Sequence, residues 1–165
     1  HPEQLPSVAT DSNPSVTAMS PAGSMLAAGT DRGTVSVWDL SNVQEPKLVH
    51  EYHQSQAAVY GLNFSPDGTH LMAAGGDEVF YMWDLEDSSD SAEFILDGRM
   101  GRTTDLMFLG DGSSFVGAGN NGEVKIWDLD LTRVEKEICD QRGTPLSDLE
   151  WRRAIVGVKP FDPCR

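Results

Sequence analysis

The tripeptide Trp-Asp-Leu recurs at 38–40, 83–85 and 127–129, with 45 and then 44 residues between successive tryptophans. Fifteen residues before each Trp stands a turn glycine: Gly23 in Ser-Pro-Ala-Gly, Gly68 in Ser-Pro-Asp-Gly and Gly112 in Gly-Asp-Gly. Two unrelated features that keep one offset three times mark a chain built from copies of one supersecondary unit. This constrains the fold more tightly than any other property of the sequence.

Each copy reads as strands. An alternating run (Ser15–Met19, Val59–Phe64, Thr104–Phe108) precedes the Gly turn, and a short run of small apolar residues follows it (Met25–Ala28, Leu71–Ala74, Phe115–Ala118). A second polar turn leads into the β-branched and aromatic stretches 34–38, 79–83 and 123–127, each bounded by Gly, Asp or Asn. After each Trp-Asp-Leu the chain turns polar, and a fourth strand is expected at 47–52, 93–96 and 134–139. Each unit is thus a four-stranded antiparallel meander. Small residues on its second strand let neighbouring sheets stack closely.

These residues resemble the WD40 repeat family, whose four-stranded blades form β-propellers. Unit two carries the pattern best, with Phe64-Ser65-Pro66-Asp67-Gly68, then Asp77, then Trp83-Asp84. The resemblance implies an all-β fold. It gives a partial β-propeller of three antiparallel blades at about 14–52, 58–96 and 103–139, preceded by an orphan strand at about 5–10. It also implies structural roles for Trp38, Trp83 and Trp127, and a buried polar network linking His, Ser/Thr, Asp and Trp. Here that network is depleted. Asp77 stands six residues before Trp83, with His53 as its expected partner, but the hydroxyl position is Ala73. In unit three Asn121 replaces the Asp, and in unit one Arg32 does.

Residues 140–165 form a separate tail. Ser147-Asp148-Leu149-Glu150 is a capping box, so a short helix is expected at about 148–154, and Pro160 and Pro163 end regular structure. The tail is similar to the C-terminal ending of some actinobacterial WD40 proteins, in which the propeller follows signalling modules such as a STAND-type NTPase. Cys139 and Cys164 bracket it, and they are the chain's two cysteines. Either they are unrelated buried thiols, or they form one disulfide closing a 25-residue loop. Bounding the same short segment favours the disulfide, which in the chain-entropy model contributes roughly 3.5 kcal/mol. A disulfide implies an extracytoplasmic or secreted setting, and its absence leaves a cytoplasmic one open.

Charge narrows the partners. The 165 residues carry a net charge of −14, which repels phosphate backbones and disfavours nucleic acid. The distribution is uneven: 141–165 holds five basic and three acidic side chains against 7 and 23 before it. No apolar run approaches the length of a membrane span. The opening His1-Pro2 is expected of a processed chain or a piece of a longer one.

Nothing in the sequence supplies a catalytic constellation, a cofactor-binding motif or a metal-ligand cluster. Gly29-Thr30-Asp31-Arg32-Gly33 is glycine-rich but joins two strands and opens no helix, so it is a hairpin and not a phosphate loop. His1, His50, His53 and His70 have no metal-ligand spacing. The expected role is a non-catalytic scaffold or sensor that binds a protein or peptide. By resemblance, docking falls on loops before the first strand and between the second and third, which here carry Arg32, Tyr52, Gln54, Gln56, Glu78, Arg99 and Arg102. Propellers close with four to eight blades. The expectation is therefore that another chain supplies the missing blades, or that copies associate head to tail. Two further readings are a subunit of a self-assembling oligomer or filament, and the regulatory sensor of a multidomain NTPase or protease.

Overall fold

The computed structural model describes residues 5–53, 55–87 and 91–130. Eleven strands form three antiparallel sheets among these residues, with no helix. The first sheet is β1 (Pro14–Met19), β2 (Met25–Thr30), β3 (Val35–Asp39) and β4 (Lys47–Tyr52), paired in chain order. The second is β5 (Val59–Phe64), β6 (His70–Gly75), β7 (Val79–Asp84) and β8 (Phe94–Asp97), paired the same way. The third is β9 (Thr103–Leu109), β10 (Ser114–Gly119) and β11 (Val124–Asp128).

The turn glycines explain why each meander begins alike. Gly23, Gly68 and Gly112 have φ of 72°, 79° and 89°, a left-handed geometry that disfavours any side chain. Their amides close the same tight turn, donating to the carbonyls of Ser20, Ser65 and Leu109 at 2.8–2.9 Å. In the second copy the turn is reinforced. Asp67 Oδ1 accepts from Ser65 Oγ at 2.6 Å, from the Thr69 amide at 3.0 Å and from Thr69 Oγ1 at 2.8 Å.

Those bonds, led by the Ser65 hydroxyl, hold the Asp67 carboxyl down to about 2. The unfolded carboxyl titrates near 3.8, so this turn contributes stability above that value and loses it as pH falls toward 2. Asp67 is exposed and its effect is screened. The expected result is a modest fall in thermal midpoint between about pH 4 and pH 2 that Asp67→Asn flattens, measured by circular dichroism melts.

Sheet faces alternate, and alternation builds the core. In the second sheet Leu62 lies opposite Ala73 and Ala73 opposite Tyr81, while Phe64, Leu71 and Trp83 align across β5, β6 and β7. This face packs on Ala27, Val35, Val37 and Tyr52 of the first sheet. Its reverse carries Gly61, Met72, Ala74 and Phe80 and meets the third sheet. There a Cβ on Gly61 would touch Leu106, and the Phe108 amide donates across the gap to Asn63 Oδ1 at 3.0 Å. Phe80, Phe115 and Trp127 interlock, with Trp127 stacked on Phe115 at 4.9 Å and tilted on Phe80 at 4.8 Å.

Two expectations change. Residues 5–10 form no strand. The fourth strand of the first sheet is β4, as its sequence pattern indicates, and Asp11 and Asn13, just before β1, are held by side-chain bonds. Thr34 Oγ1 donates to Asp11 at 2.8 Å, and Asn13 Nδ2 donates to Asp31 at 3.0 Å. The fourth strand opens at Phe94 in the second copy, one residue later than its sequence pattern indicates. The strand expected at 134–139, the helix at 148–154 and the Cys139–Cys164 pairing lie outside the described residues.

Candidate functional site

The connection from β4 to β5 and the turns after β2 and β6 pack closely together. A Cβ on Gly33, where φ is 87°, would overlap the Ser55 carbonyl, and the Gly76 amide donates to the Ala58 carbonyl at 3.0 Å. The next connection repeats this: the Asn120 amide donates to the Arg102 carbonyl at 3.0 Å, and Lys125 Nζ reaches the Arg99 carbonyl at 2.8 Å. Of the residues expected to face a partner, Arg32, Gln56, Glu78, Arg99 and Arg102 therefore sit on turns and connections held by these contacts.

Arg32, Gln56, Glu78, Arg99 and Arg102 are exposed. The Arg102 guanidinium lies 4.7 Å from the centre of the Tyr60 ring, an arrangement that pre-orients a charged, planar donor at little entropic cost. Arg99 Nε bonds Asp97 at 2.9 Å, and that bond holds the Asp97 carboxyl below its ordinary range. Both side chains are exposed, so this pair adds little stability. Gln54 lies outside the described residues.

Tyr52 corrects the expectation that it faces a partner. It is fully buried, and its ring stacks on Trp83 at 4.5 Å with an interplanar angle of 11°. As the last residue of β4, paired with Val35, it shares the face that packs on the second sheet, and burial there removes it from any docking surface.

Asp77 and His53 also differ from expectation. Asp77 Oδ2 accepts from Ser55 Oγ at 2.6 Å and from Tyr81 Oη at 3.0 Å. His53 instead pairs with Thr34 Oγ1 at 3.3 Å and Glu51 Oε1 at 3.1 Å, both in its own blade. The chain turns away after β4, so the hydroxyl two residues further on reaches Asp77 and the imidazole does not. Burial, followed by the Asp77 bond, pushes the Tyr81 hydroxyl up to about 12. Trp38 and Trp83 are buried and Trp127 is half-buried, each within or beside the packed sheets.

Glu78 carries a feature that sequence reasoning missed. Its φ is 65°, and the matching turn positions in the other copies are Gly33 and Gly122, with φ of 87° and 85°. A non-glycine residue held in this region is strained by about 1 kcal/mol or more. Glu78→Gly is expected to raise stability by about 1 kcal/mol, checked by urea denaturation. That a glutamate persists where two sister turns use glycine makes Glu78 a stronger surface candidate than exposure alone would.

A family model described as "WD domain, G-beta repeat" matches residues 5–39 and 46–84. The chain carries WD40 repeats. Among relatives of this WD40 chain, DDB1- and CUL4-associated factor 13 of Dictyostelium discoideum is 26% identical over 141 residues, covering 84% of this chain and 28% of the relative. Small ribosomal subunit protein RACK1y of Oryza sativa subsp. japonica is 31% identical over 115 residues, covering 67% of this chain and 33% of the relative. The chain thus spans about a third or less of these relatives. The Cps50 (Swd1) β-propeller domain of Myceliophteria thermophila superposes with a TM-score of 0.67 at 19% identity, covering 78% of this chain and 40% of that one. This likeness shows the propeller fold. These relatives are eukaryotic and give no support to the actinobacterial resemblance of the tail.

Proposed function

We propose that the WD40 chain is part of a non-catalytic protein-binding scaffold whose ring is completed by blades from another chain. The carrying observation is the far face of the third sheet. Met107, Val116, Ala118, Val124 and Ile126 stand at the repeat positions that in the second sheet are Asn63, Met72, Ala74, Phe80 and Met82. Phe80 and Met72 are fully buried where the second sheet meets the third. Val124 and Ile126 are each 69% exposed and Met107 52% exposed. A face that is core in one repeat and solvent-exposed in the next fits one occupant, a further blade.

Scaffolding is supported by the relatives. One is named as a factor associated with DDB1 and CUL4, and another as a small ribosomal subunit protein. The chemistry of the rim agrees, since arginine and aromatic side chains dominate the energy of protein interfaces. In a chain of net charge −14, the exposed Arg32, Arg99 and Arg102 are the natural contacts for an acidic partner segment. Replacing both Arg99 and Arg102 with Ala is expected to reduce partner capture at least tenfold in a pull-down, with the circular dichroism spectrum unchanged. Unchanged capture would remove that pair from the docking face.

Self-assembly is the second reading, favoured by one observation. Met19, on the opposite face of the first sheet, is 52% exposed, so both terminal sheets present apolar side chains that a second copy could cover head to tail.

A further inference from the structure

Trp83 is 2% exposed, and its indole Nε1 has no acceptor among the described residues. A buried indole N–H ordinarily finds a partner, because leaving it bare forfeits the bond it made to water. The neighbouring second-strand residue, Ala73, has no hydroxyl to offer. Beside Trp83, between the first and second sheets, lies a small cavity lined by Val35, Ser55, Ala73, Asp77 and Tyr81. The space open to the centre of a water molecule is about 10 Å³, enough for one water and no more.

The walls are chemically divided. Val35 and Ala73 are apolar. Ser55, Asp77 and Tyr81 form a connected polar cluster in which Asp77 Oδ2 accepts two hydroxyl protons, leaving oxygen lone pairs on all three residues. Trp83 supplies a donor with no acceptor, and the cluster supplies acceptors in excess of its donors. A molecule that both accepts and donates, of the size of one oxygen atom, satisfies both sides.

We propose that this cavity binds one ordered water, which accepts the Trp83 indole N–H and donates to the Ser55–Asp77–Tyr81 cluster. The water takes the place of a side-chain hydroxyl on β6. It ties β7 to the connection that enters the second blade. The site selects water because the cluster already consumes its own hydroxyl protons and still has acceptors to spare.

Oxygen-17 magnetic relaxation dispersion on the full chain tests this, since it counts long-lived waters by their oxygen and ignores protons exchanged from hydroxyls. Ala73→Ser places a hydroxyl beside Trp83 and is expected to lower the count of long-lived waters by one, while the Trp83 Nε1–H resonance stays protected from exchange. Trp83→Phe removes the donor and is expected to lower the count by the same amount. If the first variant fails to fold, the second carries the test, together with a water-to-indole cross-peak in the unaltered chain. An unchanged count in each folded variant, or no cross-peak from the Trp83 indole proton to water, would overturn the proposal.

Discussion

Phe80→Ala is expected to destabilise the chain by about 3–5 kcal/mol, a large part of the 5–15 kcal/mol that holds an ordinary domain. Phe80 is fully buried and sits where the second sheet meets the third. Its ring is 5.1 Å from that of Phe115 and 4.8 Å from that of Trp127, and it fills the space where a Cβ on Gly98 or Gly117 would stand. Removing the ring deletes transferred apolar surface and leaves a cavity that neighbouring β-sheets, each held by its own ladder, collapse into poorly. The check is the midpoint of urea unfolding against the unaltered chain. Phe80→Leu keeps most of the volume and is expected to cost about half as much.

Gly75→Ala is expected to be comparably damaging for the opposite reason. A Cβ at Gly75 would overlap the carbonyl oxygen of Ala58 and lie 3.0 Å from its carbon, so backbone and not a flexible side chain must move. Gly119 repeats the situation against the Met100 carbonyl one blade later. Overpacking costs about 1–3 kcal/mol where side chains yield, and a rigid backbone obstacle puts this change at or above the top of that range. The loss falls on the entry to β5, from which the second blade is hung. Gly76→Ala is the control: its new Cβ would meet the Ala57 methyl at 3.3 Å, and a small effect within about 1 kcal/mol is expected.

The repeat made much of this fold legible. Trp-Asp-Leu and the glycine fifteen residues earlier fixed where β3, β7 and β11 lie, because turn chemistry and alternation are local properties. What escaped was the path of the connections. Offset counting placed His53 beside Asp77, but the direction the chain takes after β4 decides the partner, and Ser55 wins. Tyr52 read both as the end of the fourth strand and as a docking residue, yet its parity with His50 along β4 assigns it to the buried face; that signal was present and outweighed by its position near a turn. Glu78 could have been found by aligning it with Gly33 and Gly122, 45 residues before it and 44 after. The missing acceptor for Trp83 was legible in Ala73. The segment 5–10 has strand-forming residues, but a strand exists only where an edge receives it.

The central claim is that the far face of the third sheet is an interface for a further blade. Its most direct test is the solution mass of the 165-residue chain by size-exclusion chromatography with light scattering. The expected result is a species heavier than the 18.0 kDa monomer, or one that becomes so with rising concentration. Val124→Lys combined with Ile126→Glu, which makes that face polar, is expected to return the chain to 18.0 kDa. A stable, monodisperse 18.0 kDa monomer of the unaltered chain, indifferent to those two substitutions, would contradict it.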